Sequence, residues 1–191
     1  MAQRAGRGSA ALLSLSLVLL SLALLSLVAC ASAPLPTGSD IVAVPVTEAD
    51  GTGRTIPARL CRPTGGAPAR LVVVNHGSPG TGAEARARYG LLPCTHEVAR
   101  WFTARGYAVL APLRRGYGAD RGPWSEAYGA CESPDYARGG RETARDIAAG
   151  IAAARTIPGL RQDGIVVLGQ SAGGWGALAV SADPLRGSAP W

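Results

Sequence analysis

The sequence predicts an α/β fold whose sheet begins with antiparallel strands and continues with parallel ones. Residues 41–47 and 55–61 alternate between apolar and polar side chains and flank the turn sequence Asp-Gly-Thr-Gly at 50–53, a pattern typical of a β-hairpin. Further along the chain, short apolar segments alternate with segments of helical periodicity. That alternation favours parallel strands joined by helices.

The elements after the hairpin follow in a regular order. All-apolar segments at 71–74 and 165–168 predict strands buried on both faces, and residues 107–113 predict another strand between them. Helices are expected at 95–105, 140–156 and 172–182. The first should begin at Thr95 as N-cap, bury Val98, Trp101 and Phe102, and stop at Gly106.

The N-terminus has the pattern of an export signal. Arg4 and Arg7 precede a continuous apolar stretch at 10–29, which ends in Leu-Val-Ala-Cys at 27–30. These four residues resemble the lipobox of bacterial lipoproteins, so we expect a signal peptide at 1–29, lipidation of Cys30 and a tether at 30–39. An ordinary signal peptide and an uncleaved membrane anchor are the alternatives. Each of the three places the following domain outside the cytoplasm, in the bacterial envelope or secreted.

Composition limits the classes of function. Removing the first 29 of 191 residues leaves 162, enough for one domain. All 19 basic residues are arginines, and they are scattered rather than clustered with aromatic side chains, so we expect no nucleic-acid partner. His76 and His96 lack neighbours at metal-ligand spacing, so no metal is expected.

Three cysteines besides Cys30 would lie in an oxidising compartment. Cys94 and Cys131 fall in loop-like sequence on either side of a predicted helix and strand, whereas Cys61 ends a predicted strand. We expect a Cys94–Cys131 disulfide, with three free thiols as the alternative.

Gly-Gln-Ser-Ala-Gly at 169–173 matches the nucleophile elbow G-x-S-x-G. The motif follows a predicted buried strand and leads directly into a predicted helix, as the mechanism requires. Gly169 and Gly173 would avoid collisions across the turn, and Gly174 would let the helix pack against the sheet. Ser171 is therefore the candidate nucleophile, with an incidental serine in a Gly-rich connection as the alternative.

A second candidate segment, Asn-His-Gly-Ser-Pro-Gly at 75–80, also follows a predicted buried strand. Acyl transfer needs two N–H donors directed at the developing oxyanion. We expect the backbone N–H groups of Ala172 and Ser78 to supply them, with Gly77 as an alternative donor. His76 is expected to hold this loop by hydrogen bonds rather than to act as a base, and His96 is expected at the surface.

Four sequence blocks occur in order along the chain, namely HGSPG at 76–80, RGYAV at 105–109, RRGYG at 114–118 and GQSAGGW at 169–175. This ordered set resembles α/β-hydrolases of the dienelactone hydrolase and prolyl oligopeptidase-like branch. The resemblance implies a serine hydrolase with Ser171 as nucleophile, an acid and a histidine as partners, and no cofactor. It also suggests that residues 114–118 border the substrate pocket.

The catalytic partners depart from that pattern. In this fold the order is Ser, then Asp or Glu, then His. Twenty residues follow Ser171, and they contain one acid, Asp183, and no histidine. Asp183 precedes Pro184 and is expected to cap the helix or face solvent. Residues 40–191 are therefore expected to form the N-terminal portion of a hydrolase domain, without the triad acid and histidine or the last strands, and with weak activity.

The favoured reaction is hydrolysis of an ester, lactone or thioester through an acyl-enzyme, on a small-molecule ester or peptide-like substrate. A prolyl oligopeptidase-type peptidase is the alternative enzyme. A non-catalytic binding module attached to the membrane by lipid is the alternative from another class.

Overall fold

The computed structural model describes residues 39–79, 82–119 and 122–182. The segment 1–29, Cys30, most of the tether and Asp183 lie outside these ranges. Five strands form one sheet, namely β1 (Ser39–Thr47), β2 (Gly53–Cys61), β3 (Arg70–Asn75), β4 (Tyr107–Pro112) and β5 (Val166–Gly169). Four helices accompany them, namely α1 (Ala83–Ala87), α2 (Glu97–Thr103), α3 (Tyr136–Ala154) and α4 (Ala172–Ala182).

The strand order is β1-β2-β4-β3-β5. β1 pairs antiparallel with β2 over its whole length, from Ser39 opposite Cys61 to Thr47 opposite Gly53, and β2 pairs antiparallel with β4. β3 pairs parallel with both β4 and β5. The predicted change from antiparallel to parallel pairing is confirmed. It brings the carboxyl ends of β3, β4 and β5 to one edge of the sheet.

Apolar side chains cover both faces of the sheet. On one face, α3 and α4 pack through side chains such as Ile147, Ile151 and Val180 against strand residues including Leu71, Val73 and Leu110. On the other face, α2 packs through Ala99 against Val72 and Val109. This burial explains why β3 and β4 are apolar at successive positions rather than at alternate ones.

Three predicted elements differ from the structure in bounds or burial. The helix expected at 140–156 begins at Tyr136, because the Asp135 side chain accepts a hydrogen bond from the Arg138 N–H at 2.8 Å and caps the helix earlier. The cap of α2 is His96 rather than Thr95, and Trp101, expected inside, is 52% exposed with the Arg105 guanidinium over its ring.

The third difference is β5, which was expected to be buried on both faces. It has a paired neighbour on one side only among the described residues, and Val166 and Leu168 are each 38% exposed. An apolar sequence thus correctly predicted a strand in this sheet but not its position at the edge of the described strands.

The predicted Cys94–Cys131 disulfide is wrong. Cys94 is bonded to Cys61, and Cys131 is a free, exposed thiol. Cys61 ends β2 with its side chain in the core beneath α2, and Cys94 lies in the segment that enters α2 across the same face. Loop position along the chain does not decide this pairing, because a strand-end side chain can reach a loop on the sheet face.

Within the described ranges, no helix is both long enough and apolar enough to span a bilayer. The same residues contain no group of three or more histidine, cysteine, aspartate or glutamate side chains that could hold a metal ion.

Candidate active site

The turn between β5 and α4 places Ser171 in an unusual backbone conformation. Its φ is 52°, which makes it the one described non-glycine residue with positive φ. A non-glycine residue in this left-handed region is strained and is held there by its surroundings. Ser171 is also exposed, so its hydroxyl stands at the carboxyl edge of the sheet, immediately before the first residue of α4.

Glycines on both sides of Ser171 permit the tight turn. A Cβ on Gly169 would overlap the backbone of Gly173 and Gly174. A Cβ on Gly173 would overlap the carbonyl oxygens of Asn75 and His76, at the end of β3. Gly173 is therefore required for a close approach to the neighbouring loop, a more specific reason than the collision across the turn that the motif suggests.

The loop after β3 lies directly beside this turn. The Gln170 N–H donates to the Asn75 carbonyl at 3.1 Å, and a Cβ on Gly77 would overlap the Gln170 side chain. Gly77 is buried against the turn, whereas Ser78 is exposed and lines a cavity together with Ser171. The structure thus brings the two sequence-predicted segments together.

His76 is fixed by hydrogen bonds through both ring nitrogens. The Arg114 N–H donates to Nε2 at 3.3 Å, so Nε2 is unprotonated and Nδ1 donates to the Gly77 carbonyl at 2.8 Å. The Tyr89 and Tyr117 rings both contact the imidazole, with centroids 4.6 Å from its own, and they lie 5.7 Å from each other. Burial, assisted by the positive charge of Arg114, lowers the pKa of His76 to about 3. Neutral His76 therefore holds the loop, as expected.

A buried ion pair continues from this loop. Arg114 Nε donates to Glu126 Oε2 at 2.8 Å, and both side chains are almost fully buried. Tyr117 donates its hydroxyl hydrogen to the same carboxylate, and Thr143 lies 3.1 Å from it. Burial acts to raise the pKa of Glu126, but the hydrogen bonds and charge of Arg114 outweigh burial and hold that pKa below its usual value.

The cavity in front of Ser171 has a volume of about 690 Å³, the size of a small-molecule site. Ser78 and Ala172 border it near Ser171, and Glu126 lies in its wall. Much of the remaining wall is aromatic and consists of Trp124, Tyr128, Tyr136 and Trp175. These aromatic walls favour apolar or flat substrate groups.

Comparison with solved structures identifies the architecture. Candida antarctica lipase A in its closed state superposes with a TM-score of 0.52 at 17% identity, over 82% of this chain and 39% of the lipase chain. The rice cell wall degrading esterase LipA from Xanthomonas oryzae gives a TM-score of 0.55 at 16% identity, over 74% of this chain and 36% of that chain. The chain has the α/β-hydrolase fold.

An acylaminoacyl peptidase from Pyrococcus horikoshii shares this α/β-hydrolase fold, with a TM-score of 0.50 at 20% identity over 78% of this chain and 22% of its own. The chain thus spans well under half the length of each of these enzymes. No family model and no curated protein sequence matches it.

Within the α/β-hydrolase fold, the predicted site residues divide into two groups. Ser171, Ala172 and Ser78 border one cavity, with Gly77 buried behind them. Residues 114–118, expected to border the pocket, do not line that cavity, and Arg114 and Arg115 are each 1% exposed. Their guanidinium groups form buried ion pairs beneath the pocket surface.

Glu126 and the aromatic wall were missed by sequence reasoning. Glu126, Trp124 and Tyr128 lie in the long segment between β4 and α3, which has no periodic pattern. Trp175 belongs to the GQSAGGW block, but that block does not predict its packing on Gly139 and Gly140 of α3. The two adjacent glycines inside the helix were the available sign of a closely packed large side chain, since a Cβ on either would come within about 3 Å of the Trp175 ring.

Proposed function

We propose that this protein is a serine hydrolase that cleaves an ester, lactone or thioester through an acyl-enzyme formed on Ser171. The observation that supports this most directly is the left-handed backbone of Ser171 in a strand-turn-helix connection, with its side chain at a cavity. Strain of this kind at an exposed polar residue favours function over packing.

In the first step, Ser171 Oγ would attack the substrate carbonyl carbon while its proton passes to a base. The leaving alcohol or thiol would take up a proton as the carbonyl reforms, and water would then hydrolyse the acyl-serine. Ala172 is the first residue of α4, where an N–H has no carbonyl partner within the helix. Its N–H and that of Ser78 would stabilise the oxyanion, and the buried position of Gly77 makes Ser78 the better second donor.

Both described histidines are engaged in contacts away from Ser171. His76 uses both ring nitrogens for the loop, and the His96 side chain caps α2 by accepting from the Val98 N–H. We therefore propose that neither histidine acts on Ser171 and that the whole protein supplies the base and its acid elsewhere.

An esterase assay on the whole protein tests this proposal. Hydrolysis of p-nitrophenyl acetate should be abolished by Ser171→Ala and retained by Ser181→Ala, since Ser181 lies on the same helix and its hydroxyl donates to the Ala177 carbonyl. Equal activity in the wild type and Ser171→Ala would refute it. Faster cleavage of a matched peptide amide than of the ester would instead favour the peptidase alternative.

We also propose that the protein is exported and lipidated at Cys30. The Cys61–Cys94 disulfide supports export, because such bonds persist in oxidising compartments. In a bacterial host, the wild type should partition into detergent and carry added acyl mass. If Cys30→Ala leaves both properties unchanged, the lipidation proposal fails.

A further inference from the structure

We propose that Arg114 is a positioning residue for the oxyanion site, acting through His76 on the loop that carries Ser78. This inference rests on the proposed function, because it assigns a role within the same site. Arg114 does not line the cavity, so any effect on the reaction must pass through the groups it contacts.

Arg114 donates hydrogen bonds to the loop from both its backbone and its side chain. Its N–H donates to His76 Nε2 at 3.3 Å, and its Nη1 donates to the His76 carbonyl at 2.6 Å. His76 in turn donates from Nδ1 to the Gly77 carbonyl. The carbonyl groups on both sides of Gly77 are therefore fixed, and they set the orientation of the peptide that presents the Ser78 N–H.

Glu126 holds the guanidinium in the orientation that this contact requires. Arg114 Nε and Nη2 both face its carboxylate, at 2.8 and 3.3 Å, which leaves Nη1 directed at the His76 carbonyl. Only a planar group with several fixed N–H donors can satisfy both partners at once. A lysine could keep the charge opposite Glu126 but could not also hold the carbonyl in the same geometry.

The next residue provides a natural contrast. Arg115 is as buried as Arg114 and is also bound to carboxylates, with Asp146 at 2.5 Å and Glu142 at 2.9 Å. Its partners lie in α3 and, through Glu48, in the turn that joins β1 to β2. None of its described hydrogen bonds involves residues 75–79. Two adjacent arginines of equal burial thus serve different regions.

The consequence for catalysis follows from the geometry that an oxyanion site needs. Loss of one oxyanion donor costs on the order of 10² to 10³ in kcat. A displaced donor retains part of its effect, so we expect a loss of about tenfold or more in kcat when Arg114 is replaced. KM should change little, because Arg114 does not contact the cavity.

The test compares Arg114→Lys with Arg115→Lys in the whole protein, at a temperature at which circular dichroism shows both variants folded. Each is assayed with a p-nitrophenyl ester and with the matching thionoester, whose sulfur accepts hydrogen bonds poorly. Arg114→Lys should lower kcat for the ester at least about tenfold and should reduce the ester-to-thionoester rate ratio. Arg115→Lys should leave that ratio at the wild-type value, even if it unfolds at a lower temperature.

The outcomes separate the inference from the function on which it rests. If the wild type hydrolyses the ester in a Ser171-dependent way but both arginine variants keep the wild-type ester-to-thionoester rate ratio, the positioning role is wrong and the proposed function stands. If this ratio falls equally in both variants, the effect is not specific to Arg114 and the inference fails. If hydrolysis does not depend on Ser171, the proposed function fails and the inference with it. Should Arg114→Lys not fold, Glu126→Gln replaces it under the same criteria.

Discussion

The two connections that meet at the site are held in opposite ways. The turn at Ser171 is fixed by its backbone, since Gly169 and Gly173 lie so close to other backbone atoms that no side chain fits. The loop at His76 is fixed by side chains, since hydrogen bonds, an ion pair and two aromatic rings surround the imidazole. The first arrangement should be sensitive to added atoms and the second to removed ones.

The largest effect is expected from removing the support of the second connection. Glu126→Ala would leave the Arg114 charge buried without its partner and should lower the free energy of unfolding by about 3 to 5 kcal/mol. Chemical denaturation measures it. The control is Glu84→Ala, whose pair with Arg88 is exposed and should contribute less than about 1 kcal/mol. Equal losses for the two variants would contradict the buried role of Glu126.

A comparable loss of stability should come from a feature outside both connections. Replacing Cys61 and Cys94 by serine opens a disulfide across a sequence separation of 33 residues. The chain-entropy model gives about 3 to 4 kcal/mol. Because the bond lies on the α2 face of the sheet, kcat of the folded variant should be unchanged.

Peptide mapping without reductant should recover Cys61 joined to Cys94, with Cys131 open to iodoacetamide. Recovery of Cys94 joined to Cys131 would contradict the assignment.

A smaller loss is expected from adding one methyl group at the first connection. Gly173→Ala would press a Cβ against the carbonyl oxygens of Asn75 and His76 and should cost about 2 to 3 kcal/mol. It should also reduce activity, because both connections must move apart. Gly90→Ala, where nothing lies within 4 Å of the added atom, is the matched control in thermal unfolding. Indistinguishable variants would show that the close approach is not required.

The smallest effect, taken per pH unit, is a pH dependence of the free energy of unfolding that is specific to His76. Its pKa is lowered to about 3 in the folded protein, whereas an unfolded histidine titrates near 6.5. The stabilisation is therefore complete above pH 6.5 and is lost as the pH falls toward 3, by at most about 1.4 kcal/mol per pH unit.

The slope of unfolding free energy against pH between 4 and 6 measures this effect. His76→Gln should reduce the slope, and His96→Gln, at an exposed helix cap, should not. Equal slopes in all three proteins would mean that His76 is not buried as described.

The difference between the two connections also explains what the sequence could predict. The Ser171 turn depends on glycines at fixed spacing, and that local pattern is visible in the sequence. The fold class followed from a similar local signal, the alternation of apolar and helical segments. His76 was correctly expected to hold its loop, because a histidine at a strand end before glycine commonly does so.

The partners of His76 could not be predicted, because they are set by packing over long separations. Arg114 lies 38 residues from His76, and Glu126 lies in a segment without periodicity. The predicted Cys94–Cys131 pairing was wrong for the same reason, since the pairing depends on which sheet face Cys61 occupies. Short-range patterns thus predicted the strands and the Ser171 turn, whereas the network around them required three-dimensional structure.

The most direct test of the central claim is covalent labelling of Ser171. The whole protein is treated with a serine-directed fluorophosphonate, and intact mass and peptide mapping locate the adduct. We expect one adduct, on the peptide that contains Ser171, with none in Ser171→Ala and full labelling in Ser181→Ala. An adduct on another residue, or equal labelling of the Ser171→Ala variant, would contradict the assignment of Ser171 as the nucleophile.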